Sequence, residues 1–345
     1  MNKLCKAVLL SCLAMLTFTS FPVQAEEVLR DYIEQRVKQK VIEKLNGNAP
    51  VANLSPQSRI TKSGEYISSI KYNGLTRTYK IYVPYGYKPS RPATLIVAFH
   101  GGGGDMNYMA RDEYYGLISK AEKENFIVVF PNGYSQFRSG KLATWNAGTC
   151  CGSARDKNID DVGFINAMVA TLKTQLTIHP QRVFAIGMSN GGMMAYRVAC
   201  DLSLVFRAVA SVTGTDSTIS CNPKRPVPIL HIHALDDTHV LFNGGAGQNS
   251  FRDKSKVTDF TSVPDTIRMW GERNKCQPEA KRVLQKSDAY CDEYRKCADN
   301  SMVKVCVTST GGHSWPGGYK PRGDMPASQA ISANDEIWNF FQNFK

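Results

Sequence analysis

Nowhere does the chain carry the C-x-x-C spacing that gathers zinc, so the common structural zinc sites find no support. No G-K-S or G-K-T follows its single run of four glycines, so that run is not a P-loop. No block of five or six like charges occurs, although Lys and Arg outnumber Asp and Glu by 42 to 30. The resulting net charge of +12 is spread along the chain and, with no motif beside it, points away from a nucleic-acid binder. It describes a basic soluble protein, or more sharply one drawn to an acidic polymer or surface. The sequence also lacks internal repeats, a low-complexity tail and a Thr/Ser-rich linker to a polymer-binding module.

Apolar runs approaching a membrane span are absent except at the start. Met1–Lys6 is basic, Ala7–Phe21 is mostly apolar, and Val23-Gln24-Ala25 is an A-x-A-like cleavage site. This predicts a Sec signal peptide over 1–25, cleaved near Ala25, and a secreted or periplasmic protein without stable membrane insertion. A lipoprotein signal at Leu10-Ser11-Cys12 would leave too short an apolar core. Removing the signal leaves Cys150, Cys151, Cys200, Cys221, Cys276, Cys291, Cys297 and Cys306. An even count in an exported chain predicts disulfides. Adjacent Cys150 and Cys151 are expected to take different partners, Cys200 and Cys221 are candidates for one bond, and the last four pair among themselves.

Between the signal and the main domain, Leu29, Ile33, Val37, Val41 and Leu45 recur every four residues. They predict an amphipathic helix that packs on the main domain or mediates self-association, with the oligomeric state left open. Asn46-Gly47-Asn48-Ala49-Pro50 ends it and begins a polar linker, so 26–62 is helix and linker and 63–345 the main domain.

From residue 63 the pattern changes. Strands are predicted over Glu65–Tyr72 and Arg77–Val83, joined by the hairpin signal Asn73-Gly74. Mostly apolar runs at Thr94–Phe99, Phe126–Phe130 and Val183–Ile186 read as buried strands, Ala208–Val212 and Pro228–His233 as further strands, and later ones end with Val303–Thr308. Helices are expected over Ala110–Asn125, from Asp160 or Asp161 to about Leu176, after Ser189, from Pro264 through Trp270, and over Ser328–Phe344. Buried strands alternating with helices predict an α/β fold whose central sheet is mostly parallel, with an antiparallel hairpin at its start.

The chain is organised around Gly187-Met188-Ser189-Asn190-Gly191, a G-x-S-x-G between a strand and a helix. That order describes a nucleophile elbow: the turn lifts the Ser189 hydroxyl above the sheet and points the Asn190 N–H at a developing oxyanion. An acid and then a histidine must follow. His100 and His179 precede Ser189, whereas His231 and His233 lie within a strand and precede the acid. His239 follows Asp237 too closely to close a triad. His313, in a Gly-rich loop after the last strand, is the expected base. The acid is Asp236 or Asp237, and the Asp-x-x-Val pattern Asp237-Thr238-His239-Val240 favours Asp237. His100-Gly101-Gly102-Gly103-Gly104 after a buried strand has the form of an oxyanion loop, with Gly102 as N–H donor and His100 as its brace. Trp145 and Trp315, on loops near this site, are candidates to stack on an acyl group, with packing as the ordinary alternative.

These motifs resemble the secreted esterases of the polyhydroxybutyrate depolymerase and feruloyl esterase type, within the α/β-hydrolase fold. The matching residues are His100–Gly104, the W-x-x-x-x-C-C-G of Trp145–Gly152, the D-D-V-G-F of Asp160–Phe164, Gly187–Met194, and the G-G-H-S-W-P-G-G of Gly311–Gly318. The resemblance runs from about residue 64 to the C-terminus. It implies Ser189, Asp237 and His313 as the triad, with no metal or organic cofactor. The departures are Ala234, where the family usually has Gly, and Leu241, where it often has Pro; both touch the acid loop. The expected activity is hydrolysis of carboxylic esters through an acyl-enzyme. Feruloyl or acetyl esters of polysaccharide, or similar soluble esters, are the first expected partners, and polyhydroxyalkanoate chains or oligomers are the alternative. A prolyl-oligopeptidase-like peptidase would need a propeller that the stretch before residue 63 cannot supply. A non-catalytic binding protein would have no use for all three triad residue types.

Overall fold

The computed structural model describes residues 52–55, 58–250, 258–321 and 325–344. The expected signal peptide and the amphipathic helix fall outside them. All described residues lie in one compact unit, Pro50–Lys345.

The chain enters through β1 (Ala52–Leu54), a strand where a linker was expected, which pairs in parallel with β2 (Gly64–Tyr72). β2 turns directly into β3 (Leu75–Val83), with Tyr72 opposite Leu75. The two residues between, Asn73 and Gly74, both have positive φ (45° and 74°), the backbone that a two-residue hairpin turn demands. β4 (Ala93–Phe99), β5 (Ile127–Pro131), β6 (Ile178–Met188), β7 (Ala208–Val212) and β8 (Ile229–Ala234) follow, and then β9 (Ala280–Gln285), β10 (Ala289–Tyr294) and β11 (Val303–Thr308). They form one eleven-stranded sheet in the order β1-β2-β3-β5-β4-β6-β7-β8-β11-β10-β9. From β5 to β11 neighbours run parallel, and antiparallel pairs flank that block.

β5, β7, β8 and β11 are buried along their whole length because helices cover both faces, which is why they are mostly apolar and do not alternate with polar residues as a half-exposed strand would. One face packs against Phe164, Met168 and Leu172 of the helix Asp161–Gln175, Met194 and Val198 of Asn190–Asp201, and Ile267 and Trp270 of Val263–Arg273. The other packs against Leu117 and Ala121 of Leu117–Glu124 and Ile337, Trp338 and Phe341 of Ala333–Phe341. There the Phe184 and Phe341 rings stack at 4.3 Å.

Two helices differ from expectation. The helix expected over Ala110–Asn125 is two pieces, Asp112–Tyr115 and Leu117–Glu124, and a further short helix, Met106–Met109, precedes them. Gly116 breaks it with a left-handed φ of 62°, and the Asp112 carboxylate accepts from the Ile118 and Ser119 N–H groups of the restarted turn. The last helix starts at Ala333, capped by Ser332, because Ser328 is committed elsewhere: its carbonyl accepts from Gly317 N. The cysteines pair as Cys200–Cys221, Cys276–Cys297 and Cys291–Cys306. Cys150 and Cys151, expected to take different partners, pair with each other, buried beside Met193, Val240 and Phe260.

Candidate active site

Ser189 stands where β6 gives way to the helix Asn190–Asp201, with φ 57° and ψ −125°. Such a backbone costs on the order of 1–3 kcal/mol and persists only where surroundings over-determine it. They do so here. The Ser189 N–H donates to Val212 O at the end of β7 (2.8 Å), and a Cβ on Gly191 would drive into the carbonyls of Phe99 and His100. The glycine therefore lets the elbow sit against the end of β4, beside the His100–Gly104 loop.

Asp237 and His313 leave neighbouring strands. The register pairs Ala234 of β8 with Thr308 of β11, so the two following loops rise side by side. The His313 Nδ1–H donates to Asp237 Oδ2 at 2.8 Å, and Asp237 Oδ1 accepts from the N–H groups of His239 (2.8 Å) and Val240 (3.1 Å). Burial pushes the Asp237 carboxyl up, but His313, His233 and the His239 N–H outweigh it and hold it down at about 2. Asp236, the other acid candidate, instead accepts from the N–H groups of Gly311 (3.3 Å) and Gly312 (2.7 Å), bracing the histidine loop. Among the described residues the Ser189 hydroxyl forms no hydrogen bond. The structure thus joins the acid to the imidazole and does not close the serine–imidazole contact. Such contacts are often long before substrate binds.

The glycine loop faces the elbow: a Cβ on Gly102 would touch Asn190 Cβ at 3.5 Å. Gly103 donates to Ala143 O (2.8 Å) and Gly104 to Gly101 O (3.0 Å), whereas the N–H groups of Gly102 and Asn190 donate to no backbone carbonyl among the described residues. His100 braces this loop from below, its Nδ1 against Gly101 O (2.8 Å) and its Nε2 accepting from Gly133 N (3.0 Å). Burial drives its pKa down to about 4, so the ring is neutral.

Trp145 and Trp315, expected as substrate-stacking rings, are buried instead, 0% and 3% exposed. Trp145 lies over Phe99 and His100, and its indole N–H donates to His100 O (3.0 Å). Trp315 meets Tyr115 edge-on and donates to Asn334 Oδ1 (3.1 Å). Neither ring has a free face. The Trp145 segment acts through its backbone: Asn190 Oδ1 accepts from Trp145 N (2.7 Å) while Asn190 Nδ2 donates to Trp145 O (3.0 Å). One residue on, Asn146 N donates to Asp161 Oδ2 (2.8 Å), and Asp161 Oδ1 is paired with Arg77 (2.6 Å) in a buried ion pair. The D-D-V-G-F motif thus ties β3 to the segment that clamps Asn190.

Two histidines set aside as triad members on sequence grounds nevertheless stand against the pair. His239 stacks on His313 with centroids 4.5 Å apart and planes 17° from parallel. Burial and the neighbouring His313 push its pKa down to about 4. His233 approaches Asp237 Oδ2 at 3.4 Å from within β8. Its position three residues before the acid pair was visible, but strand burial suggested packing only. Asp237, His239 and His313 bring possible ligand atoms within 4.8 Å of one another. The near-parallel imidazoles aim their in-plane lone pairs side by side, so they suit stacking better than convergence on one ion.

An elbow serine and an acid–imidazole pair, all at the carboxyl ends of strands in a mostly parallel sheet, are what an α/β-hydrolase presents, and that is the class to which this fold belongs. Within that class the chain belongs to the esterase family, described as "Putative esterase", whose model matches residues 71–317. Feruloyl esterase B of Piromyces equi is 29% identical over 237 residues, 67% of this chain and 41% of that protein. Feruloyl esterase C of Emericella nidulans is 32% identical over 173 residues, 49% of this chain and 58% of that protein. The matches thus span about half the length of these relatives. An acetyl xylan esterase from Aspergillus awamori shares the fold, with a TM-score of 0.54 over 80% of this chain and 99% of that one at 14% identity.

Proposed function

We propose that this protein is an exported carboxylic ester hydrolase working through an acyl-enzyme on Ser189. The observation that carries the reading is the 2.8 Å hydrogen bond between Asp237 and His313 on the loops after adjacent strands β8 and β11. With Nδ1–H held by the carboxylate, the imidazole keeps its Nε2 lone pair as a base. Ser189 attacks the ester carbonyl as His313 takes its proton, and the N–H groups of Asn190 and Gly102 hold the oxyanion. The imidazolium then protonates the leaving alcohol, and a water activated by the same ring releases the acid. Four cysteine pairs support an oxidising, exported setting. The feruloyl esterase relatives favour feruloyl or similar esters of polysaccharide as substrates.

An ester panel on the purified protein beside Ser189→Ala tests this. Methyl ferulate and acetylated xylan should be hydrolysed faster than a hydroxybutyrate oligomer. Ser189→Ala should lose turnover by roughly 10⁶-fold and fail to label with a fluorophosphonate. A preference for the oligomer would redirect the substrate to polyhydroxyalkanoates, and an active Ser189→Ala would end the acyl-enzyme reading.

A further inference from the structure

Behind the acid lies a row of buried polar groups that the reaction as proposed does not use. Tyr196, on the helix that begins at the elbow, places its hydroxyl 2.8 Å from His231 Nδ1. His231 Nε2 lies 3.0 Å from His233 Nδ1, the two rings stacked on one face of β8. His233 Nε2 lies 2.8 Å from Val240 O and 3.4 Å from Asp237 Oδ2. All three side chains are wholly buried. Burial drives the pKa of both histidines down, so each carries one ring proton.

The far end of the row fixes its direction. A carbonyl only accepts, so His233 Nε2 carries the proton and His233 Nδ1 accepts. His231 Nε2 must then donate, His231 Nδ1 must accept, and the Tyr196 hydroxyl must donate to it. Every donor in the row points its positive end toward the acid loop, and hydrogen bonds in such a chain polarise one another.

We propose that Tyr196, His231 and His233 are a positioning relay for Asp237, tying the helix of the nucleophile to the loop of the acid. The inference rests on the triad reading above. His233 acts at two points. Its N–H donates to the Val240 carbonyl, whose residue donates its own N–H to Oδ1, and the same ring edge lies 3.4 Å from Oδ2, the oxygen that accepts from His313. The His233 N–H bond, its proton committed to Val240 O, still lies with its positive end beside Oδ2, and that dipole tempers the pull of the carboxylate on His313. Without His233 more of that charge falls on His313, and the imidazolium is favoured at higher pH. The other groups facing this pair are His239, stacked on His313, with Lys320 acting on it, and Asp236 below Gly311 and Gly312. None of them is altered by the variants below.

The test is the pH profile of kcat/KM for a p-nitrophenyl ester in His233→Leu, His233→Gln and Tyr196→Phe, each checked for folding by thermal melting. His233→Leu should lower kcat about tenfold or more, leave KM within about twofold, and move the acid limb to higher pH. His233→Gln, whose amide N–H falls near Nε2, should restore most of the rate and the limb. Tyr196→Phe removes one oxygen at the far end and should shift the limb the same way by less. It also decides the matter if His233→Leu does not fold. Folded His233→Leu or Tyr196→Phe with a wild-type limb would overturn the relay. An active Ser189→Ala would overturn the triad reading itself, a separate outcome.

Discussion

Asp236 and Asp237 are chemically identical neighbours, and the structure gives them different work. Asp237 is 2% exposed and holds the His313 ring, whereas Asp236 accepts only from the backbone of the loop that carries that ring. Asp237→Asn should therefore cost on the order of 10⁴ in kcat, because the amide leaves the imidazole in the wrong tautomer. Asp236→Asn keeps an acceptor oxygen and should cost about tenfold or less. Equal losses from the two variants, measured on one ester at saturating concentration, would contradict this division. Its low value also makes Asp237 a stabilising group: with its pKa depressed from 3.8 to about 2, its contribution is full above 3.8 and is lost as pH falls toward 2.

At the scale of elements, the site depends on parts that never touch a substrate. The Arg77–Asp161 pair is 4% and 0% exposed, and it joins β3, the helix Asp161–Gln175 and the Asn146 backbone. Asp161→Asn would leave the Arg77 charge buried without its counter-ion and should destabilise by about 3–5 kcal/mol in urea unfolding. It should also lower kcat by loosening the clamp on Asn190. A loss below about 1 kcal/mol would show that the pair is solvated or replaceable. What could be read from the sequence was whatever short-range chemistry dictates. Asn73-Gly74 dictates its turn, the apolar runs their buried strands, and Gly187 and Gly191 an elbow in which a side chain would collide with backbone. Asp237 and His313 could be named from order along the chain, although their meeting depends on the β8–β11 register, which no local pattern prints. The residues misread were those whose surroundings come from distant segments. Trp145 is covered by Phe99 and His100, and Trp315 by Tyr115 and Asn334, so loop position said nothing of their burial. Ala52–Leu54 becomes a strand only because the edge of β2 is there to pair with it.

Taken as a whole, the molecule buries imidazole to an unusual degree: His100, His231 and His233 are all 0% exposed, and all three have pKa values lowered from 6.5 by burial, to about 4 for His100. Each is held by hydrogen bonds that need the neutral ring, His100 accepting from Gly133 N and the other two linked in the row from Tyr196. Below pH 6.5 the unfolded chain takes up protons on these rings that the folded molecule refuses until its own lower values are reached. The unfolded state therefore binds more protons in that window, and stability must fall as the pH falls. Each ring's contribution to stability is full above the unfolded value and is lost between 6.5 and the folded value, at up to about 1.4 kcal/mol per pH unit. Acid loss of stability should thus begin well above the carboxylate range, before the Asp237 contribution starts to be lost below 3.8. Urea unfolding at pH 7, 6 and 5 should show the free energy dropping by about 2 kcal/mol from His100 alone, with His231 and His233 pushing the same way. A flat profile from pH 7 to pH 5 would mean that these rings are protonated or solvated in the folded state, and the one-way row of donors behind Asp237 would have no basis.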